Sequence, residues 1–309
     1  MRARLLAAFA AVYVIWGSTY LAIRFAVETL PPLLMAGARF TIAGLILLLW
    51  SRFVQHARRP SRSDWRTGLV SGALLLLGGN GAVVWAETRV PSGIAALLVA
   101  VVPLWMVLLD WWRPGGRRPG APVFVGLGLG LVGLGLLVGP DALHGGGTGA
   151  VNTIGAVVLI AGSLSWAIGS LFTKQAPRPT TSINGSGTQM FAGGLCLLAA
   201  GTFGGELARL DFAHVAGRSV IGFAYLVTFG SLIGFTAYFY LLSHTTAAKA
   251  ATYAYVNPVV AVLLGWAFAH EPLTMRTVLA AAVILAGVAI ITVARDSRVS
   301  PRVERREAA

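Results

Sequence analysis

The chain has 309 residues, of which 56% are hydrophobic and only 11% charged. A water-soluble protein of this length needs more surface charge, so the composition excludes an ordinary globular domain and points to membrane helices. A net charge of +13 would suggest nucleic acid in a soluble chain, but the positions of these charges read as membrane topology instead.

A helix needs roughly 20 apolar residues to cross about 30 Å of hydrocarbon. Apolar stretches predict ten spans, near 5–26, 32–50, 67–86, 91–112, 122–139, 151–173, 183–204, 219–242, 247–268 and 276–294. Span one places Tyr13, Trp16, Tyr20 and Arg24 on one helix face. Arg39 lies well inside span two. A buried arginine costs roughly 2.5–3.5 kcal/mol on insertion scales, so it should face the interior with a partner. That partner is either a substrate carboxylate or backbone carbonyls of a neighbouring helix. Residues 51–66 form a basic connection bracketed by Trp50 and Trp65 at headgroup level, and Trp111 and Trp112 mark the next cytoplasmic face. In span three Asn80 is flanked by glycines, placed either to contact substrate or to tie two helices. Pro103 is expected to kink span four. Gly126, Gly128, Gly130, Gly133 and Gly135 run through span five, where close helix packing is the plainer reading. Residues 140–150 are a Gly-rich extracytoplasmic linker.

In the second half Ser163, Trp166, Ser170 and Lys174 repeat the face of span one, and Gln189 takes the place of Arg39. Cys196, the one cysteine, rules out an intrachain disulfide. The connection 205–218 is expected along the interface. Span eight carries Gly230 and Gly234 as a GxxxG pair, with Ser231 and Tyr238 on one face. Tyr255, Asn257 and Pro258 cluster near the centre of span nine, where Pro258 is a second expected kink. The tail 295–309 is basic and without periodicity, and is expected to be a disordered cytoplasmic segment.

The two halves resemble each other. Trp16, Arg24, Arg39 and Gly44 match Trp166, Lys174, Gln189 and Gly194 at an offset of 150, and Pro103 matches Pro258 at 155. Residues 5–139 and 151–294 are therefore two five-helix repeats. An odd number of spans per repeat makes their topology inverted. With the N-terminus in the cytoplasm, 18 of the 24 Lys and Arg fall on the cytoplasmic side, four on the outer side and two inside spans. This bias places both termini in the cytoplasm of a multi-pass protein of the cell membrane. Anionic lipid headgroups would attract the same charges.

Motifs of known enzymes are missing: the chain has no Walker A loop, HExxH, GxSxG or Cys/His metal spacing. The reading is of a non-enzyme without cofactor or metal. Carboxylates sit at span ends, so proton or sodium coupling would need a water path to Glu87 or Glu271. The polar residues at mid-membrane suggest a cavity between the halves, lined by Trp16, Tyr20, Asn80, Trp166, Ser170, Tyr238, Tyr255 and Asn257, with Arg39 beside it and Pro103 and Pro258 as hinges. Aromatic faces suit apolar or cationic groups of a small metabolite.

The segments VYVIWGSTYLAIRFAV, MAGARFTIAGLILL, AALLVAVVPLWMVLL, LSWAIGSLFTK and AATYAYVNPVVAVLLGWAFAHEPL resemble the EamA-type transporters of the drug/metabolite transporter superfamily. The resemblance covers residues 5–139 and 151–293. It implies ten helices, inverted repeats, a central cavity and export of small metabolites such as amino acids, or of drugs. It also implies an acid after the fourth span of a half, which Glu271 matches and the WWRPGGRRPG of the first half does not. Open alternatives are a nutrient or nucleotide-sugar type importer or exchanger of the same superfamily, and a membrane scaffold that transports nothing. Monomer and homodimer both remain open.

Overall fold

A computed structural model describes residues 2–90, 95, 98–113, 118–138, 153–177, 179–269 and 274–293. The linker 140–150, Glu271 and the tail 295–309 lie outside the described residues. Among the described residues the protein is all helical. Its elements are α1 (Arg2–Ala26), α2 (Pro32–Phe53), α3 (Arg62–Ala86), α4 (Val102–Trp112), α5 (Ala121–Val138), α6 (Thr153–Gln175), α7 (Ser182–Phe203), α8 (Gly217–His244), α9 (Ala247–Ala251), α10 (Tyr253–Ala269) and α11 (Met275–Val293). Five of them, α1, α2, α3, α6 and α8, are long and apolar enough to cross a membrane; α4, α5 and α11 are shorter apolar helices. Large apolar side chains such as Leu45, Leu49, Val125, Val132, Val278 and Leu279 are exposed, as lipid-facing surfaces require.

Helix starts show how the chain is braced. Pro32 opens α2, where a missing N–H costs nothing. The orphan N–H groups of Leu33 and Leu34 both donate to Glu206 Oε2, at 2.9 and 3.0 Å. At the start of α7 the mirrored arrangement holds. The Thr181 hydroxyl accepts from the Asn184 N–H, and Thr180 Oγ1 donates to Asp64 Oδ2 at 2.7 Å. Asn184 Nδ2 donates to the Arg58 carbonyl. Asp64 also completes a capping box with Ser61 at the start of α3. Each of the two helices is thus fixed at its entry by a connection from the other half.

Helices α2 and α7 then pack backbone to backbone. A Cβ on Gly37 would lie 2.7 Å from the Leu198 nitrogen, and one on Gly194 would lie 2.5 Å from the Thr41 nitrogen. Gly44 stands against Gly187 and Phe191, and Gly201 against Leu34. Rising numbers on α2 meet falling numbers on α7, so the two helices run antiparallel. Helices α5 and α11 pair in the same sense, through Gly126 against Ile291 and Gly133 against Ile284. Gly128 and Gly135 face open space.

Two helices are wound in π form over part of their length: Ala73–Gly81 within α3 and Leu226–Phe235 within α8. Both segments carry glycines beside the cavity described below. Pro103 stands in the first turn of α4 rather than inside a continuous helix, where its lack of an N–H is harmless. Pro258 lies within α10 as expected. The connection 205–216 forms two short 3-10 turns, Glu206–Arg209 and Phe212–His214, with Phe212 exposed.

Gly44→Ala puts a methyl on the Phe191 backbone and should cost about 1–3 kcal/mol as an overpacked contact, read as a lower thermal denaturation midpoint in detergent. Gly128→Ala meets nothing within 4 Å, so its midpoint should stay within about 0.5 kcal/mol of the parent or rise. Glu206→Ala strands one buried and one part-buried N–H group and should destabilise by about 1–3 kcal/mol in the same assay.

Candidate substrate cavity

The sequence places tryptophan at matched points of α1 and α6, and both rings turn inward: Trp16 is 6% exposed and Trp166 8%. Their centroids lie 5.7 Å apart, edge to face. Tyr253 at the head of α10 meets Trp16 at 4.8 Å, Phe235 of α8 meets it at 5.0 Å, and Tyr238 at 5.1 Å. The first three pairs are edge to face and the Trp16–Tyr238 pair is tilted; aromatic pairs of this kind are each worth about 0.5–1.5 kcal/mol beyond burial. The result is a closed cluster of five rings drawn from four helices. Each tryptophan also rests on a π segment of the opposite half. Trp16 Nε1 donates to the Gly230 carbonyl at 3.2 Å, and a Cβ on Gly79 would lie 2.7 Å from Trp166. A ring occupies the space of a side chain at Gly79 and at Gly234, where a Cβ would meet Trp16 Nε1, while at Gly230 the Arg39 guanidinium takes that space.

Beside the cluster lies a cavity of about 80 Å³. Its walls include Trp16, Thr19, Tyr20, Arg39, Asn80, Ser163, Trp166, Phe235, Tyr253 and Asn257, from six helices and both halves. Arg39 is 2% exposed. Its Nε donates to Ser231 Oγ at 2.7 Å, and its guanidinium lies 4.6 Å from the Phe40 ring centroid. No carboxylate pairs with it among the described residues. The buried Oδ1 atoms of Asn80 and Asn257 accept no hydrogen bond there either. One buried cation and two asparagines with unsatisfied amide oxygens therefore line a space walled by aromatic rings.

Of the expected site residues, Trp16, Tyr20, Arg39, Asn80, Trp166 and Asn257 meet at this cavity. Ser170 and Tyr238 stand one layer behind it. Their hydroxyls lie 2.7 Å apart, and Trp166 Nε1 donates to Tyr238 Oη at 3.2 Å, so they hold the ring that lines the wall. Tyr255 faces elsewhere. It packs on Gly130 of α5 and its hydroxyl donates to the Leu127 carbonyl at 3.5 Å. Two residues along a helix turn about 200°, so Tyr253 takes the cavity and Tyr255 the opposite side. The periodicity held this answer, since Tyr253 and Asn257 are four residues apart. Arg24 is exposed, and the inward face of α1 continues past Tyr20 through Ile23 instead. Gly230 and Gly234 serve the expected helix contact, with α2 and α1, by making room for the side chains of Arg39 and Trp16.

Comparison with known proteins picks out two stretches of the chain. A model of the EamA-like transporter family matches residues 3–139 and 153–293. The chain belongs to the EamA-like transporter family. Among its relatives, the "Uncharacterized inner membrane transporter YedA" of Escherichia coli K12 is 40% identical over 293 residues, covering 94% of this chain and 91% of the relative. The "Uncharacterized transporter YvbV" of Bacillus subtilis is 25% identical over 291 residues, 94% of this chain and 91% of its own. One solved crystal structure superposes with a TM-score of 0.74 at 21% identity, over 94% of this chain and 97% of that one, a likeness of fold. Membership in the EamA-like family makes this an integral membrane protein of transporter type, similar to an inner-membrane relative.

Ser231→Ala removes the acceptor of the buried Arg39 Nε and should destabilise the protein by about 1–3 kcal/mol. The check is its thermal denaturation midpoint in detergent, with Ser231→Thr, which keeps the hydroxyl, closer to the parent.

Proposed function

We propose that this protein is a ten-span transporter of the inner membrane that exports a small amphipathic metabolite, an amino acid or a related compound, by alternating access. The repeats 5–139 and 151–294 are taken as inverted copies with both termini in the cytoplasm. The antiparallel seam between α2 and α7 supports this, because Gly37 and Gly44 correspond to Gly187 and Gly194 at the offset of 150. The π segments, at comparable places in α3 and α8, support it as well.

The observation that carries the substrate class is the meeting of Arg39, Asn80 and Asn257 in one aromatic-walled cavity. A guanidinium suits a carboxylate. An unsatisfied buried amide oxygen costs roughly 1–3 kcal/mol, which the N–H groups of an ammonium would relieve. The rings of Trp16, Trp166 and Tyr253 suit an apolar side chain or the face of a cation. At about 80 Å³ the space is well below the roughly 300–1,000 Å³ of small-molecule pockets, so substrate binding belongs to a wider conformation. In the proposed orientation the five-ring cluster lies on the cytoplasmic side of the cavity. Its parting would then open the route from the cytoplasm. Export is the direction that the family resemblance implies.

An overexpression screen for rescue from toxic amino acids, metabolites and drugs would give a substrate, and counterflow in proteoliposomes would measure its flux. Trp16→Ala and Trp166→Ala should each lower that flux at least about tenfold, the effect of about 1.4 kcal/mol of lost interaction. Flux unchanged in folded variants, or no flux of any screened compound by purified protein, would sink the cavity reading. Flux that depends on solute across the membrane would identify an exchanger.

A further inference from the structure

Six carboxylates fall within the described residues, and five of them are partnered. Glu28 pairs with Arg218, Asp110 with Arg113 and Asp211 with His214. Asp64 accepts from Ser61 and Thr180, and Glu206 from Leu33 and Leu34. Glu87 alone has neither an ion pair nor a hydrogen bond among the described residues, although its Oε1 is buried. Glu87 is half-buried, and at its Oε1 the carboxylate has lost water without gaining a donor, which favours the neutral acid. Glu87 lies one residue past the end of α3, and burial holds its carboxyl above the usual carboxylate range.

Its place relative to the cavity gives the proton a purpose. Asn80 and Val83 line the cavity, and Glu87 follows Val83 by four residues, one turn further on the same face. The carboxyl lies within electrostatic reach of the Tyr20 hydroxyl, itself a cavity residue. This end of α3 packs on α2 and α6 and on the apolar side chains Ala95, Leu98 and Val99, and α1 reaches it through Tyr20, with Arg24 of α1 exposed. The other ionisable groups near or on them are accounted for. Arg39 is bonded to Ser231, and Arg52 stands at the far end of α2. Lys174, in the last turn of α6, donates to the Thr245 carbonyl. Arg89 on the connection after α3 lies 3.8 Å over the Trp85 ring and donates to the Trp85 carbonyl. None of these cations pairs with Glu87.

We propose that Glu87 is a proton-binding site at the edge of the cavity, a carboxylate one helical turn beyond the lining residue Val83 that takes up one proton and releases it when water or a cationic group reaches that end. The step is the addition of H⁺ to a carboxylate oxygen and its reversal, with no other bond made or broken. The side of the membrane that supplies the proton rests on the orientation proposed above, in which this end of α3 faces away from the cytoplasm.

The experiment needs no substrate, so failure here is distinguishable from failure of the transport reading. Infrared difference spectra of purified protein in nanodiscs, titrated with pH, should show the carbonyl stretch of a protonated acid persisting above the usual carboxylate range. That band should be lost in Glu87→Gln and kept in Glu206→Gln. A wild-type protein without the band, or a folded Glu87→Gln that retains it, overturns the proposal. Should Glu87→Gln not fold, the wild type still decides. Dicyclohexylcarbodiimide attacks protonated acids in apolar surroundings, and peptide mass mapping should find it on Glu87, with labelling that falls as pH rises. Absence of that label, or labelling independent of pH, refutes the site.

Discussion

Hydrocarbon chains give two helices no hydrophobic reason to associate, so the contact of α2 with α7 depends on backbones close enough for dispersion. Gly37, Gly44, Gly187 and Gly194 make that approach possible, and the interlocked caps at Leu33 and Asn184 fix its ends. The cavity inherits its geometry from this seam. Arg39 is two residues beyond Gly37, about 200° around the helix. The face that presses Gly37 on α7 therefore aims the guanidinium away from it, at Ser231 of α8.

The cavity wall rests in turn on a division of labour among aromatic groups. Trp16 and Trp166 are held by hydrogen bonds as well as by packing, one to a backbone carbonyl and one to the hydroxyl of Tyr238. Tyr13 adds a tie at the same end, its hydroxyl 2.6 Å from that of Thr252. These are directional contacts that a small rotation breaks, laid over dispersion contacts that tolerate it.

Much of this was legible in the chain itself. Hydropathy located the long apolar helices α1, α2, α3, α6 and α8, and the recurrence at 150 residues picked out Trp16 and Trp166 as a pair, both of which are buried. What the sequence left open was phase and depth. Tyr253 and Tyr255 are equally plausible by composition, and only the turn of the helix separates them. Ser170 and Tyr238 are polar and interior, which does not tell a wall from its support. The two π segments carry no local signature beyond glycine and apolar residues, because tertiary packing selects that winding. Ser231 could be named as polar and inward, whereas its role as the acceptor for Arg39 needed the placement of two distant helices.

Winding in wide turns gives α3 and α8 a property that straight α-helices lack. An i to i+5 helix holds an additional residue relative to the ordinary form, and passing that residue along the axis rotates what lies beyond by about 100°. Asn80 and Ser231 both sit on such stretches. Each can be re-aimed by sliding the surplus residue past it, with main-chain bonds exchanged one at a time and neither helix broken open to lipid.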